Sequence, residues 1–314
     1  MVRRRDPRPP VSRLLPPEAL HPQVRALPDT TAPIDPARLD EQRRAVALNT
    51  PVEAGEGVPV RYVEDVDAEG VPCRLYRPAD GRLPVVVYVH GGGWVDGGLA
   101  SHDPLCRLLA ARSGAAVLSV DYRLAPEHPC PAASDDVDRA IDWLRSPAAE
   151  LRFLDPSRLA LSGDSSGGHL AAVASRRCRD RGVPVRAQAL FYPVVDPTGA
   201  TWGDTVFPGL KAPNLRWCWD VFAPPGVDRS SPDVSPALGD LSGLPPTLVV
   251  TAEHDILTVE AEAYAAALAE AGVSSVTVRV QGLVHGFVRR LARFDAAAAA
   301  VDLAAGHLAR HLGD

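Results

Sequence analysis

The run Leu159-Ala160-Leu161-Ser162-Gly163-Asp164-Ser165-Ser166-Gly167-Gly168 passes from apolar residues into a glycine-rich turn. Small residues stand two before and two after Ser165, as G-x-S-x-G requires. The apolar half reads as a strand and the stretch after Gly167 as a helix. That is the context of a nucleophile elbow, where a serine sits on a very tight strand-to-helix turn. Helix N–H groups and a partial positive charge then lie behind the serine. The competing reading is a glycine turn with an idle serine; the strand–helix setting favours the elbow.

Two further segments belong to the same chemistry. Upstream, His90-Gly91-Gly92-Gly93-Trp94 follows the continuous apolar run 84–89, which reads as a strand buried on both faces. Three glycines let a backbone approach a ligand and aim N–H groups at a developing oxyanion. A phosphate cradle is disfavoured, because neither a Gly-Lys ending nor G-x-G-x-x-G is present; Lys211 is the only lysine among 33 basic residues. Downstream, Asp255 follows the strand expected at 247–251, and His285 follows the one expected at 275–280. The order Ser165, Asp255, His285 is that of a serine hydrolase on a parallel sheet. A serine needs a base to take its proton, and the base needs an acid to fix its tautomer. The rivals by proximity are His254, Glu253 and Glu260 beside Asp255, and His90 and His169 beside the glycines. His307 and His311 are spaced i, i+4 without a third ligand, so no metal site is read.

Around these motifs the chain alternates. A hairpin is expected at 60–66 and 71–77, then strands at 116–120 and 185–191. Helices are expected at 35–48, 104–112, 133–144, 167–181, 259–271 and 291–311. This pattern predicts an α/β fold, a mostly parallel sheet with helices on both faces. Residues 196–243 break the alternation. They hold three of the five tryptophans, many Pro and Gly residues, and one short helix near 214–222. A segment this long is usually functional. Trp94, Trp217 and Trp219 are read as walls of a substrate pocket, against the alternative that the aromatics, Trp202, Phe207 and Phe222 among them, only glue the insertion down. Trp217 and Trp219 are two apart and point to different sides of a helix.

The whole chain has 314 residues, 46% hydrophobic and 23% charged, an ordinary folded composition. The net charge of −6 argues against a nucleic-acid partner. Five scattered cysteines without a C-x-x-C pair fit a reducing compartment. No signal peptide or membrane span is read, so the expected location is the cytoplasm. No cofactor is expected, and a homodimer is left open.

The sequence resembles the hormone-sensitive-lipase-like esterases (bacterial family IV) of the α/β-hydrolase fold. The features that match are His90–Trp94, Asp121-Tyr122-Arg123-Leu124-Ala125-Pro126-Glu127, Gly163–Gly168, Asp255 and His285-Gly286-Phe287. They cover roughly residues 60–312 in family order. The resemblance implies a carboxylester hydrolase for small-molecule esters with Ser165, Asp255 and His285 as triad. It implies oxyanion donors at the N–H groups of Gly92, Gly93 and Ser166. It also implies a cap made of an N-terminal segment, residues 1–55, and the insertion 196–243, over a catalytic domain of residues 56–195 and 244–314. The departures are Ser166 for the usual Ala, Ile256 for Pro and Cys130 for an aromatic; none touches the triad. Acyl transfer, lactone opening or elimination at the same site are the alternative reactions, and a non-catalytic binding module is the alternative class.

Overall fold

The computed structural model describes residues 20–27, 34–203 and 208–313. Phe207 and the first 19 residues of the arm lie outside that set. Among the described residues, eight strands form one sheet: β1 Tyr62–Asp67, β2 Pro72–Arg77, β3 Leu83–Val89, β4 Ala116–Val120, β5 Leu154–Asp164, β6 Ala187–Phe191, β7 Thr247–His254 and β8 Ser275–Val284. Their spatial order is β1-β2-β4-β3-β5-β6-β7-β8. The β1–β2 and β2–β4 pairs are antiparallel and all others parallel. The described helices are α1 Pro22–Arg25, α2 Leu39–Ala54, α3 Leu99–Ser113, α4 Ala132–Trp143, α5 Pro147–Glu150, α6 Ser166–Asp180, α7 Ala212–Phe222, α8 Thr258–Glu270 and α9 Asp295–Leu312.

The apolar run of β3 serves two cores. Val85, Val87 and Val89 pack with α4, α6 and α8 on one face, while Val86 and Tyr88 pack with α3 and α9 on the other. Side chains alternate across a strand, so a run without polar residues needs cover on both sides. The expected mostly parallel sheet with helices on both faces is therefore observed. No described helix is long and apolar enough to cross a membrane.

Several boundaries differ from expectation. The helix expected at 35–48 begins as a 3-10 turn, Pro36–Arg38, capped by Asp35, whose carboxylate accepts from Ala37 N at 3.0 Å; the α-helix proper, α2, runs on to Ala54. The expected start of α3 at Pro104 is corrected to Leu99; Pro104 lies inside the helix. β8 extends to Val284, so His285 comes directly after the strand.

Candidate active site

Ser165 joins the end of β5 to the start of α6 with φ 54° and ψ −121°. The turn leaves no room nearby. A Cβ on Gly163 would come 2.5 Å from Gly167 O, and one on Gly167 would collide with Val89 O. The glycines that the sequence pattern required are thus required by contact.

His285 Nε2 lies 2.9 Å from Ser165 Oγ, and its Nδ1 lies 2.6 Å from Asp255 Oδ2. These residues stand 120 and 30 positions apart in the chain. They meet because β5, β7 and β8 run parallel and end on one edge. Asp255 is fully buried as a side chain and His285 is 12% exposed. With Nδ1–H donating to the carboxylate, Nε2 is left to accept the serine proton. Leu257 N donates to the other Asp255 oxygen at 3.1 Å, which fixes the carboxylate plane. The Tyr192 ring lies 4.7 Å from the His285 ring, centroid to centroid, tilted by 58°.

The glycine loop faces this trio. Gly92 has φ 133°, and a Cβ there would run into Asp96 O, so only glycine is accommodated. The N–H groups of Gly92, Gly93 and Ser166 have no acceptor among the described residues. Behind the loop, Trp94 stacks on Phe222 at 4.3 Å and lies 4.5 Å from Trp219. Trp94 and Trp219 are fully buried, whereas Trp217 is half-buried.

The rival histidines have other duties. The His90 ring stacks on Tyr122 at 4.2 Å, and its Nδ1 is 2.9 Å from Gly91 O; burial, then the charge of His102, push its pKa down to about 3. His169 accepts from Trp94 Nε1 at 3.3 Å, and its Nε2 is 2.8 Å from Val234 O; burial brings its pKa to about 4. Both stay neutral and hold structure. His254 Nε2 lies 3.6 Å from Glu253. Glu260 accepts from Val195 N, Asp196 N and Trp202 Nε1 and ties the start of the insertion to α8.

Sequence reasoning missed one cluster. Asp164 accepts from Tyr88 Oη at 2.8 Å and Gly91 N at 2.9 Å, and His102 Nε2 sits 3.1 Å away as a contact rather than an aligned hydrogen bond. In the motif Asp164 is only an x, and Tyr88 is one more member of an apolar run. The single signal was a charged residue at the buried end of a strand.

Comparison with known proteins gives the family. A family profile described as the alpha/beta hydrolase fold matches residues 86–289. The chain is 45% identical over 234 residues to carboxylesterase NlhH of Mycobacterium tuberculosis, covering 69% of this chain and 71% of that protein. It is 37% identical over 275 residues to an ethyl acetate hydrolase of Pseudomonas putida, covering 82% and 85%. Among solved structures, an esterase of Pyrobaculum calidifontis superposes with a TM-score of 0.84 at 40% identity, covering 93% of this chain and 98% of that one. The chain therefore belongs to the α/β-hydrolase family, among its hormone-sensitive-lipase-like carboxylesterases.

Proposed function

We propose that ester hydrolysis here proceeds through an acyl-enzyme on Ser165. The observation that carries this is the continuous chain Ser165 Oγ–His285–Asp255, at 2.9 and 2.6 Å. Ser165 Oγ attacks the ester carbonyl carbon and its proton moves to His285 Nε2. The tetrahedral intermediate expels the alcohol, which leaves with that proton. Water, deprotonated by the same imidazole, then releases the acid and restores Ser165. Asp255 holds the imidazole in the reactive tautomer and balances its transient charge. The N–H groups of Gly92, Gly93 and Ser166 receive the oxyanion, usually the largest electrostatic contribution to such a step.

The proposal extends to substrates: small to medium, largely apolar esters. The relative named for ethyl acetate hydrolysis supports short ones. The described parts of residues 1–55 and 196–243 form a cap over the site in this reading, supported by Ile34 N donating to Asn214 Oδ1 at 3.4 Å between the two segments. Pocket roles for Trp94, Trp217 and Trp219 belong to the same proposal. Burial of Trp94 and Trp219 makes half-buried Trp217 the residue whose truncation reads specificity rather than stability. Trp217→Ala is expected to shift preference toward bulkier p-nitrophenyl esters by roughly 10- to 200-fold in relative kcat/KM. A uniform loss across the ester panel leaves it a structural residue.

The mechanism is tested with Ser165→Ala. Removing a triad nucleophile costs on the order of 10⁶ in kcat. A folded variant that turns over esters at near the parent rate refutes the serine mechanism.

A further inference from the structure

We propose that Asp164 is a positioning residue for the oxyanion loop: its buried carboxylate, through the Gly91 N–H, sets the distance between Ser165 and the N–H groups of Gly92 and Gly93. This rests on the acyl-enzyme reading above and adds a residue to it.

The argument starts from where Asp164 stands. Its backbone is the last residue of β5, directly before Ser165. Its side chain crosses to the glycine loop. The two halves of the site, nucleophile and oxyanion donors, are thereby joined by a single residue. All its described partners converge on Oδ1: Tyr88 Oη at 2.8 Å, Gly91 N at 2.9 Å and His102 Nε2 at 3.1 Å. The other oxygen lies against Gly91, where a Cβ would come within 2.5 Å of it. No larger residue fits between the carboxylate and the loop.

The same polar chain reaches the far end of the loop. His102 Nδ1 is 2.8 Å from Ser101 Oγ, which donates to Gly98 O at 2.9 Å. The loop is held at Gly91 by Asp164 and at Gly98 by Ser101, with His102 between them. Gly91 is fixed on its other side as well, its carbonyl by the His90 ring at 2.9 Å. The neighbouring His90 carbonyl accepts from Tyr122 Oη, also at 2.9 Å. Gly92, which follows, is bonded within the loop, its carbonyl accepting from Val95 N at 3.1 Å and Asp96 N at 3.0 Å, so Gly91 carries the loop's bond to the residue beside Ser165.

The carboxylate is charged although it is buried. Burial raises its pKa, but the facing His102 charge and the Tyr88 and Gly91 donors prevail and bring it to about 2. A buried charge is costly unless it is paired and hydrogen-bonded. An apolar residue would serve mere packing, so a cost kept at this position points to geometry. Oxyanion donors act only when aimed at the transition state, and a displacement of about 1 Å costs on the order of 10²-fold.

The test compares Asp164→Asn and Asp164→Ala on a p-nitrophenyl ester and on a trifluoromethyl ketone, which binds as a tetrahedral oxyanion. Asn keeps an acceptor oxygen where all three partners converge; Ala removes it. For Asp164→Ala we expect kcat to fall about 10²-fold, with KM within about twofold and the midpoint of the pH–rate profile unmoved. Affinity for the ketone should fall by the same factor as kcat, since a donor lost to the oxyanion affects both equally. Asp164→Asn should recover kcat to within about tenfold of the parent, with ketone affinity again tracking it. Should Asp164→Ala not fold, Asp164→Val, which also lacks the acceptor, takes its place, and parent-like kcat and ketone affinity in that variant then overturn the proposal. A loss confined to KM, or a fall in kcat without a matching fall in ketone affinity, also overturns it. If Ser165→Ala retains turnover, the acyl-enzyme reading itself fails. If that variant is dead while the Asp164 variants stay parent-like, only the present inference fails.

Discussion

Ser165 holds a backbone conformation that side chains with a Cβ rarely adopt, φ 54° with ψ −121°. Strain of this kind costs on the order of 1–3 kcal/mol and persists where the surroundings enforce it. Both Ser165→Ala and Ser165→Gly remove the hydroxyl, but only glycine removes the Cβ. Ser165→Gly is therefore expected to be the more stable of the two by about 1 kcal/mol after its larger unfolded-state entropy is counted, read from urea midpoints. Equal midpoints would mean that the elbow is unstrained. The base gives a second comparison. His285 contacts Ser165, whereas His254, which ends β7, lies beside Glu253. His285→Ala is expected to cost nearly as much kcat/KM as Ser165→Ala, and His254→Ala much less; the reverse order would assign the base to His254. At this scale Ser165, Asp255 and His285 were legible, because each follows an apolar strand within a short motif. Asp164 and His102 were not. Their partners come from β3, the glycine loop and α3, and no spacing along one segment records a polar contact across a sheet.

Among the elements, β4 matches the strand expected at 116–120, where four of five residues are apolar. The start of α3 is not legible, because proline favours the first turn of a helix and Pro104 lies inside this one. The helix begins at Leu99, where the glycine loop ends. The early part of β5 was also hidden. Leu154 and Asp155 pair with Leu83 and Pro84 before a register shift, and Pro156 argues against a strand on sequence grounds. One element carries a pH prediction. Glu260, in the first turn of α8, is pushed up to about 8 by burial, against the N–H donors of Val195, Trp202 and Asp196 and with the Asp196 charge adding to the rise. The folded pKa lies above the ordinary 4.5, so folding favours the protonated carboxyl. Its contribution to stability is full below that ordinary value and is lost as pH rises through 8. Glu260→Gln lacks this titration. The amount by which the parent's Tm exceeds that of Glu260→Gln should shrink between pH 5 and pH 9. A constant difference would mean that the carboxyl does not titrate in that window.

Across the whole molecule, Arg43 ties α2 to the loops that follow β3 and β4. Arg43 in α2 donates to Val95 O at 2.7 Å, to Ala125 O at 2.9 Å, and through both outer nitrogens to Glu127 at 2.8 and 2.9 Å. Glu127 is half-exposed, so the ion pair itself contributes little. The two carbonyls matter more, because a planar fork reaches both at once and an ammonium does not. Arg43→Lys is expected to behave like Arg43→Ala, each costing about 1–3 kcal/mol and lowering Tm by a few degrees. A lysine variant that melts with the parent would show that charge alone suffices. Burial at this scale follows the sequence well: the insertion's Trp219 and Phe222 close over Trp94 of the glycine loop, joining segments far apart in the chain.

The wide separation of the site's residues also governs when the protein becomes active during its synthesis. Ser165 is made 120 residues before His285. A growing chain on the ribosome thus carries its elbow serine long before any base can reach it. β8, which delivers His285, and α9, which covers the face shared with α3, emerge after the other described elements of the sheet and its helices. On the proposed mechanism, a nascent chain stalled before His285 is expected to be inert toward esters. Hydrolytic activity should appear late and abruptly in a series of ribosome-arrested chains of increasing length.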